Sequence, residues 1–135
     1  MNYRPLGTTG LSVSELSFGA GPVSGLMTGD SFEHQRAVVA RALELGINWF
    51  DTAAGYGAGR SEDNLGRVLE SLRPTQPFHV ATKVRLMLNG ESDLRPMVVA
   101  SVRESLRRLR MSRVTLLQIH NSITPQRGDE PTSIT

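Results

Sequence analysis

The alternation of short apolar runs with amphipathic segments is the feature that most constrains the fold of this 135-residue chain. Apolar runs of strand length come before and after each of three segments with helical periodicity. Such an alternation predicts a parallel sheet whose strands are joined by right-handed helical crossovers. The predicted order is a hairpin followed by β, α, β, α, β, α and β.

Three segments carry the helical period, namely Ser31 to Leu45, Ser61 to Leu72 and Asp93 to Arg110. Asp30 is the predicted N-cap of the first, with Glu33 as its capping-box partner, and Ser61 is the predicted cap of the second. Pro96 is tolerated in the first turn of the third. The faces predicted to be buried are Val38, Val39, Ala42 and Leu45, then Leu65, Val68, Leu69 and Leu72, then Val99, Val102, Leu106 and Leu109.

The predicted parallel strands are Glu15 to Gly19, Ile47 to Phe50, Phe78 to Thr82 and Val114 to Ile119. The first dozen residues, with Gly7 to Gly10 at the turn, predict a β-hairpin. Four strands and three helices suit an open doubly wound sheet or half of a (β/α)8 barrel, which needs eight such units in ~250 residues. Residues 121–135 are polar and without period, so we expect a truncated loop at the end of a single partial domain, 1–135.

Composition excludes several classes of protein. The chain has no cysteine, which rules out disulfides and thiolate metal sites. No stretch reaches the ~18 apolar residues of a membrane span, and the N-terminus lacks the apolar core of a signal peptide. The net charge is only +2, so nothing general points to nucleic acid or a membrane as partner. A cytoplasmic protein is therefore expected.

Ionisable residues follow three successive predicted strands. Asp51 comes after Phe50, Lys83 after Thr82 and His120 after Ile119. The carboxyl ends of parallel strands meet at one edge of the sheet, where α/β folds place their ligands. Lys83 is also the only lysine among fifteen basic residues. Unlike a guanidinium, an ammonium can lose its proton when it is desolvated, which makes this position chemically distinctive.

A tyrosine flanked by glycines lies in the loop after the second strand. Gly55 and Gly57 allow the backbone to turn tightly and bring the phenol of Tyr56 over the strand ends. A nearby ammonium favours the phenolate form of a phenol, and a carboxylate holds the ammonium in place. With a histidine that donates to a carbonyl oxygen, these groups provide the proton-transfer half of carbonyl reduction.

Several motifs along the chain resemble those of the aldo-keto reductase family. They are Phe50-Asp51-Thr52-Ala53, Gly55-Tyr56-Gly57, Ser61-Glu62-Asp63-Asn64-Leu65-Gly66, Ala81-Thr82-Lys83, Ser105 to Leu109 and Leu117-Gln118-Ile119-His120. The resemblance implies an α/β fold that is the N-terminal half of a (β/α)8 TIM barrel. It also implies hydride transfer between NADPH, or alternatively NAD, and a small carbonyl, alcohol or sugar substrate. The Gly55 to Arg60 loop resembles the sugar-dehydrogenase-like branch.

Site residues follow from the same resemblance. Tyr56 is expected to be the general acid, Lys83 and Asp51 to tune it, and His120 to orient the carbonyl. The predicted cofactor-binding residues are Gly19, Ala20, Gly21 and Asp51. The predicted substrate-binding residues are His120 and Asn121, and no metal is expected.

The resemblance also has a limit. The family's phosphate-binding half has no counterpart in the sequence, so we expect weak cofactor binding by this chain. The alternative is an inactive barrel fragment, or a half-barrel that assembles with a partner chain. Open strand edges invite pairing, so self-association is expected.

Three competing interpretations fit the sequence less well. A metal hydrolase would need His79, His120 and Asp51 together, but the two histidines lie at opposite ends of their strands. Arg103, Arg107 and Arg110 share a helical face, with Arg108 and Arg113 nearby; such a run usually marks solvated helix surface and only seldom a nucleic-acid site. The glycines of 19–25 miss the dinucleotide-binding spacing by one residue, and no helix opens directly on them.

Overall fold

A computed structural model describes residues 1–87 and 93–123, together with the backbone of 133–134. The strands are β1 (Tyr3–Pro5), β2 (Ser12–Ser14), β3 (Phe18–Gly19), β4 (Trp49–Asp51), β5 (His79–Val84), β6 (Leu116–Ile119), β7 (Ser122–Ile123) and β8 (Ser133–Ile134). The helices are α1 (Phe32–Glu44), α2 (Arg60–Leu72) and α3 (Arg95–Leu109). Two 3₁₀ turns span Pro22–Ser24 and Tyr56–Gly59.

Four parallel strands form the main sheet in the order β3-β4-β5-β6, which is also their order in the chain. Asp51 of β4 lies beside Gly19 of β3 on one side and Ala81 of β5 on the other. Lys83 of β5 lies beside Gln118 of β6. The antiparallel β1–β2 hairpin forms a separate sheet. The predicted α/β architecture, with its hairpin, four parallel strands and three helices, is confirmed.

The hairpin is tied to the start of β4 by one asparagine. The side chain of Asn48 accepts a hydrogen bond from the backbone N–H of Ser14 (2.8 Å) and donates to the carbonyl of Ser12 (3.0 Å). The hydroxyl of Ser14 accepts from the backbone N–H of Asn48 (3.1 Å). The hairpin therefore lies at the amino end of the strands, opposite the edge at which Asp51 lies.

The core lies between the sheet and the helices, and α2 packs between α1 and α3. Its fully or nearly fully buried members are Ala20, Met27, Val39, Leu43, Phe50, Leu65, Val68, Leu69, Val80 and Leu109. Phe50 makes ring contacts on both sides, with Phe18 at 5.4 Å and Phe78 at 6.3 Å between centroids. Burial of these apolar side chains, at about 25 cal/mol per Å², is the main stabilising term of such a fold.

Two predicted helix caps were wrong. Ser31, not Asp30, is the N-cap of α1, and its side chain makes no capping hydrogen bond. Helix α2 begins one residue before Ser61, with Gly59 in the left-handed conformation as its N-cap. The hydroxyl of Ser61 turns towards the sheet, because the carbonyl of Ala20 just after β3 and the hydroxyl of Thr52 just after β4 lie within reach there.

The predicted buried faces need correction on all three helices, and Val38, Val102 and Leu106 are only partly buried. Leu45 follows α1 and is 50% exposed, whereas Gln35 and Leu43 are buried. The Gln35 amide is satisfied by the carbonyls of Leu26 and Gly29, at 3.0 and 2.8 Å, so its burial leaves no polar group unpaired. Leu72 is only partly buried, and Val99 of α3 is exposed.

The side of the sheet that ends in β6 is open to solvent. All four residues of β6 are exposed, including Leu117 and Ile119. The predicted loop 121–135 contains a short parallel pairing between β7 and β8, and its other residues after Ile123 lie outside the described part of the chain. Among the described residues, no helix is long and apolar enough to cross a membrane.

Candidate active site

The predicted site residues come together at the carboxyl edge of the sheet. Asp51 is the last residue of β4, and His120 directly follows β6. Tyr56 begins the 3₁₀ turn after β4. Lys83 lies inside β5 and not just after it, because β5 continues to Val84 through its pairing with β6.

The ammonium of Lys83 is the centre of the site. It donates to Asp51 Oδ1 at 2.5 Å, to the carbonyl of Thr52 at 2.9 Å and to the hydroxyl of Tyr56 at 3.2 Å. These three bonds use the full donor capacity of an ammonium. The Lys83 side chain is 13% exposed and that of Asp51 is 31% exposed, so the ion pair is largely shielded from screening by solvent.

The loop backbone fixes the position of the Tyr56 ring. Gly57, Ala58 and Gly59 all have positive φ, at 58°, 54° and 92°. A left-handed conformation is strained for Ala58, and strain of this kind persists only where the surroundings impose it. One side of the ring faces the backbone of Gly21, where a Cβ would lie 3.8 Å from Cε2 of the ring.

His120 faces the tyrosine edge-on. The two ring centroids are 5.6 Å apart with an interplanar angle of 84°. Burial lowers the pKa of His120 below its usual 6.5, and the positive charges of Lys83 and Arg85 lower it further, against an opposing effect of Asp51. His120 is therefore neutral at neutral pH and has one ring N–H to donate.

The segment Gly19 to Gly21 runs along the same edge. Ala20 is buried, and its backbone N–H donates to the carbonyl of Asp51 at 2.8 Å. Around Gly19, no atom lies within 4 Å of the position that a Cβ would take. The backbone at Gly19 therefore borders open space beside Asp51, as close approach of a ligand requires.

The side chain of Asn121 bonds to protein backbone and not to the other site residues named so far. Its side-chain amide accepts from the backbone N–H of Leu86 and donates to the carbonyl of Leu86, both at 2.9 Å. This two-way bond ties the segment after β5 to the segment after β6. Contact of Asn121 with a substrate remains a prediction.

Sequence reasoning missed a set of buried polar residues on the other face of the sheet. A glutamate in the first turn of a helix is normally solvent-exposed, but the side chain of Glu62 has no solvent exposure. Glu62 Oε1 accepts from the hydroxyl of Thr82 at 2.5 Å, and Oε2 lies 2.7 Å from the guanidinium of Arg108. The only signal for this set was the Ser61-Glu62 pair directly after a glycine-rich loop.

Arginines at the C-terminal end of α3 and at its C-cap pair with carboxylates. Arg107 bonds to Glu104, and Arg110 bonds to Asp63 and Glu70. The histidines are apart, as the sequence indicated. His79 begins β5, beside Trp49 and Thr115, at the opposite edge of the sheet from His120.

Comparison with known proteins identifies the family. A family model described as the Aldo/keto reductase family matches residues 15–127. The chain belongs to the aldo-keto reductase family. L-galactose dehydrogenase of Arabidopsis thaliana is 39% identical to this chain over 122 residues, which are 90% of the chain and 38% of that protein. D-threo-aldose 1-dehydrogenase of a Pseudomonas species is 31% identical over 144 residues, covering 89% of the chain and 43% of that protein.

Solved structures extend the relationship to the fold. Aldo-keto reductase AKR11C1 from Bacillus halodurans is 34% identical with a TM-score of 0.73, covering 90% of the chain and 41% of that structure. Glycerol dehydrogenase AKR11B4 from Gluconobacter oxydans is 35% identical with a TM-score of 0.68, covering 89% and 39%. The chain thus spans about two-fifths of the length of these relatives, and its sheet corresponds to part of their (β/α)8 barrel.

Proposed function

We propose that this chain carries the acid–base centre of a nicotinamide-dependent oxidoreductase that interconverts a carbonyl compound and an alcohol. One observation carries the proposal: the Lys83 ammonium bonds Asp51 and the Tyr56 hydroxyl at the same time. The neutral imidazole of His120 stands beside the same phenol. Family membership supports the reaction type.

Reduction of a carbonyl adds a hydride to carbon and a proton to oxygen. The reduced nicotinamide would supply the hydride when it is bound. Tyr56 donates its hydroxyl proton to the substrate oxygen and becomes a phenolate. Lys83, 3.2 Å away, stabilises that phenolate with its positive charge, and Asp51 holds Lys83 in place. In the oxidation direction, the phenolate takes the proton back from the alcohol.

His120 orients the substrate. Its lowered pKa keeps the imidazole neutral, so one ring N–H is available for the carbonyl oxygen that Tyr56 protonates. A neutral donor at this point does not compete with Tyr56 as the source of the proton. The family's sugar-dehydrogenase members support a sugar or small aldehyde or ketone as the substrate class. We propose that Asn121, which directly follows His120, contributes to binding of that substrate.

The residues present fit the nicotinamide end of a cofactor. Asp51 is bonded through Oδ1 and is a third exposed, so its carboxylate can accept further bonds from ribose hydroxyls. Gly19, Ala20 and Gly21 provide backbone beside it without side chains in the way at Gly19. We propose NADPH as the cofactor, with NAD as the alternative.

A titration followed by a rate assay tests the proposal. Quenching of protein fluorescence by NADPH, extended to millimolar concentration, measures binding. Consumption of NADPH with a panel of aldehydes, ketones and sugars measures turnover. We expect Tyr56→Phe to lower kcat by ~10²–10⁴-fold with little effect on NADPH affinity, since a positioned acid contributes about that much.

Tyr3→Phe is the matched control. The Tyr3 hydroxyl bonds the carbonyl of Gly46 on the hairpin side, away from the site, so turnover should stay at the parental level. A folded chain that neither binds NADPH nor turns over any substrate would instead support the inactive-fragment alternative. Equal turnover by Tyr56→Phe and parent would refute the role given to Tyr56.

A further inference from the structure

We propose that Ser61 and Glu62 are positioning residues that set the distance between Asp51 and Lys83 from the far side of the sheet. The inference rests on the function proposed above for those two site residues. Ser61 and Glu62 are consecutive in the first turn of α2, and both side chains are completely buried. Neither side chain makes a hydrogen bond or ion pair with Asp51, Tyr56, Lys83 or His120.

Ser61 joins the ends of β3 and β4. Its hydroxyl donates to the carbonyl of Ala20 at 2.7 Å. A serine hydroxyl has one proton, so in the 2.9 Å contact between the two hydroxyls Thr52 is the donor and Ser61 the acceptor. Thr52 directly follows Asp51, and its carbonyl is one of the three acceptors of the Lys83 ammonium. Ser61 therefore holds Thr52 in place, and Thr52 is both the chain neighbour of Asp51 and a hydrogen-bond partner of Lys83.

Glu62 holds β5 in the same way. Its carboxylate accepts from the Thr82 hydroxyl through Oε1 and from Arg108 of α3 through Oε2. Thr82 directly precedes Lys83. Successive side chains of a strand point to opposite faces of the sheet, so Thr82 faces the helices whereas Lys83 faces the site. Glu62 thus holds β5 in place through Thr82, the residue next to Lys83.

These bonds leave little freedom between the two strands. Thr52 and Thr82 are both buried, and no buried side-chain polar atom among the described residues lacks a partner. A shift of β5 along β4 would break the Thr82 bond to Glu62, and a shift of β4 would break the Thr52 bond to Ser61. An unpaired polar group in a buried setting is costly, so the turn resists both movements. Movements of about 1 Å matter, because such misplacement can cost ~10²-fold in rate.

The lone lysine makes the positioning directly measurable without cofactor or substrate. Lysine labelled with ¹³C at Cε gives a single signal, from Lys83, in the full 135-residue chain. Its two Hε protons resolve separately when the side chain is held in one conformation and merge when it moves freely. We expect resolved protons in the parent, and at least a halved separation in Thr82→Val and in Ser61→Ala.

Matched controls separate positioning from general damage. Thr115→Val is the control for Thr82→Val, at an exposed residue at the other end of the sheet. Ser71→Ala is the control for Ser61→Ala, on the exposed side of α2. Both control variants should keep the parental Lys83 signal. Thr82→Ser retains a hydroxyl and should restore the separation. If Thr82→Val does not fold, Ser61→Ala tests the same inference through Thr52.

A folded Thr82→Val or Ser61→Ala chain with the parental Lys83 signal would overturn the inference. This result is distinct from failure of the proposed function, since the signal is read from the chain without ligand. If the parent turns over substrate, both variants should lower kcat roughly tenfold or more at an unchanged KM for NADPH, as expected when a site is misaligned but its cofactor contacts remain. An unchanged kcat would count equally against the inference.

Discussion

Replacement of Arg108 by methionine removes the cation from a carboxylate that is completely shielded from solvent. Arg108 Nε and Nη2 both lie 2.7 Å from Oε2 of Glu62, and the Arg108 side chain is only 16% exposed. After the change, Glu62 keeps a single donor, the hydroxyl of Thr82. Methionine retains most of the aliphatic stem that packs against Gly59, so the variant tests the charge and not the packing.

The size of the effect follows from the burial of the pair. Removing one partner of a buried ion pair typically costs about 3–5 kcal/mol, because the remaining charge is left without compensation. A domain of this size unfolds with roughly 5–15 kcal/mol, so the loss is a large share of the total. At roughly 3–5 °C per kcal/mol for a chain of this length, the expected fall in Tm is about 9–25 °C.

Thermal and urea denaturation followed by circular dichroism measure the effect. Arg107→Met is the matched control: the neighbouring arginine is exposed and pairs only with Glu104, so its loss should leave the midpoint unchanged. A deficit below about 1 kcal/mol at pH 8 would refute the reasoning, since a loss that small is typical of a solvent-exposed pair.

Two further predictions concern the site and the helix packing. The NMR titration midpoint of His120 should lie below 6.5, and Lys83→Met should raise it only in part, because burial is the larger cause of the shift. Because the pKa of His120 is lowered in the fold, its contribution to stability is fully present above about pH 6.5. That contribution is lost as the pH falls through the folded-state pKa. A titration midpoint at or above 6.5 would contradict both statements. At Gly66 a Cβ would lie 2.5 Å from the Arg108 carbonyl oxygen, so Gly66→Ala should force α2 and α3 apart and cost about 1–3 kcal/mol in urea denaturation. Gly55→Ala, with open space at the Cβ position and a negative φ, should be neutral; equal effects of the two changes would show that contact with α3 is not the cause.

The convergence of the four site residues could be predicted because it depends on topology alone. Once strands and helices alternate, the sheet is parallel and its carboxyl ends share an edge. Asp51 and His120 come directly after apolar runs in the sequence, so their place needs no knowledge of packing. Tyr56 needed one more signal, the flanking glycines, of which Gly57 takes the left-handed conformation that favours glycine and Gly55 does not.

Residues whose role depends on distant partners could not be predicted in this way. A glutamate in the first turn of a helix is normally solvated, and the glycine-rich loop before Glu62 does not by itself indicate its burial. Its partner Arg108 lies 46 residues further along, on a helix whose basic run is typical of a solvated face. The capping prediction for Ser61 was wrong for the same reason, since the acceptor that draws its hydroxyl inward is 41 residues away.

The order of the main sheet has a consequence for how the molecule forms. Neighbouring strands of the main sheet are also consecutive in the chain, in the order β3, β4, β5 and β6. Each strand can therefore pair as soon as the strand before it has formed. Local pairing of this kind favours fast folding, and domains grow from the N-terminus during synthesis. Asp51 and Lys83 can meet when β5 arrives, but the Glu62 carboxylate has no cation until α3 is in place. The ion pair behind the sheet is therefore a marker of late assembly, and its formation would report the moment at which the emerging site becomes rigid.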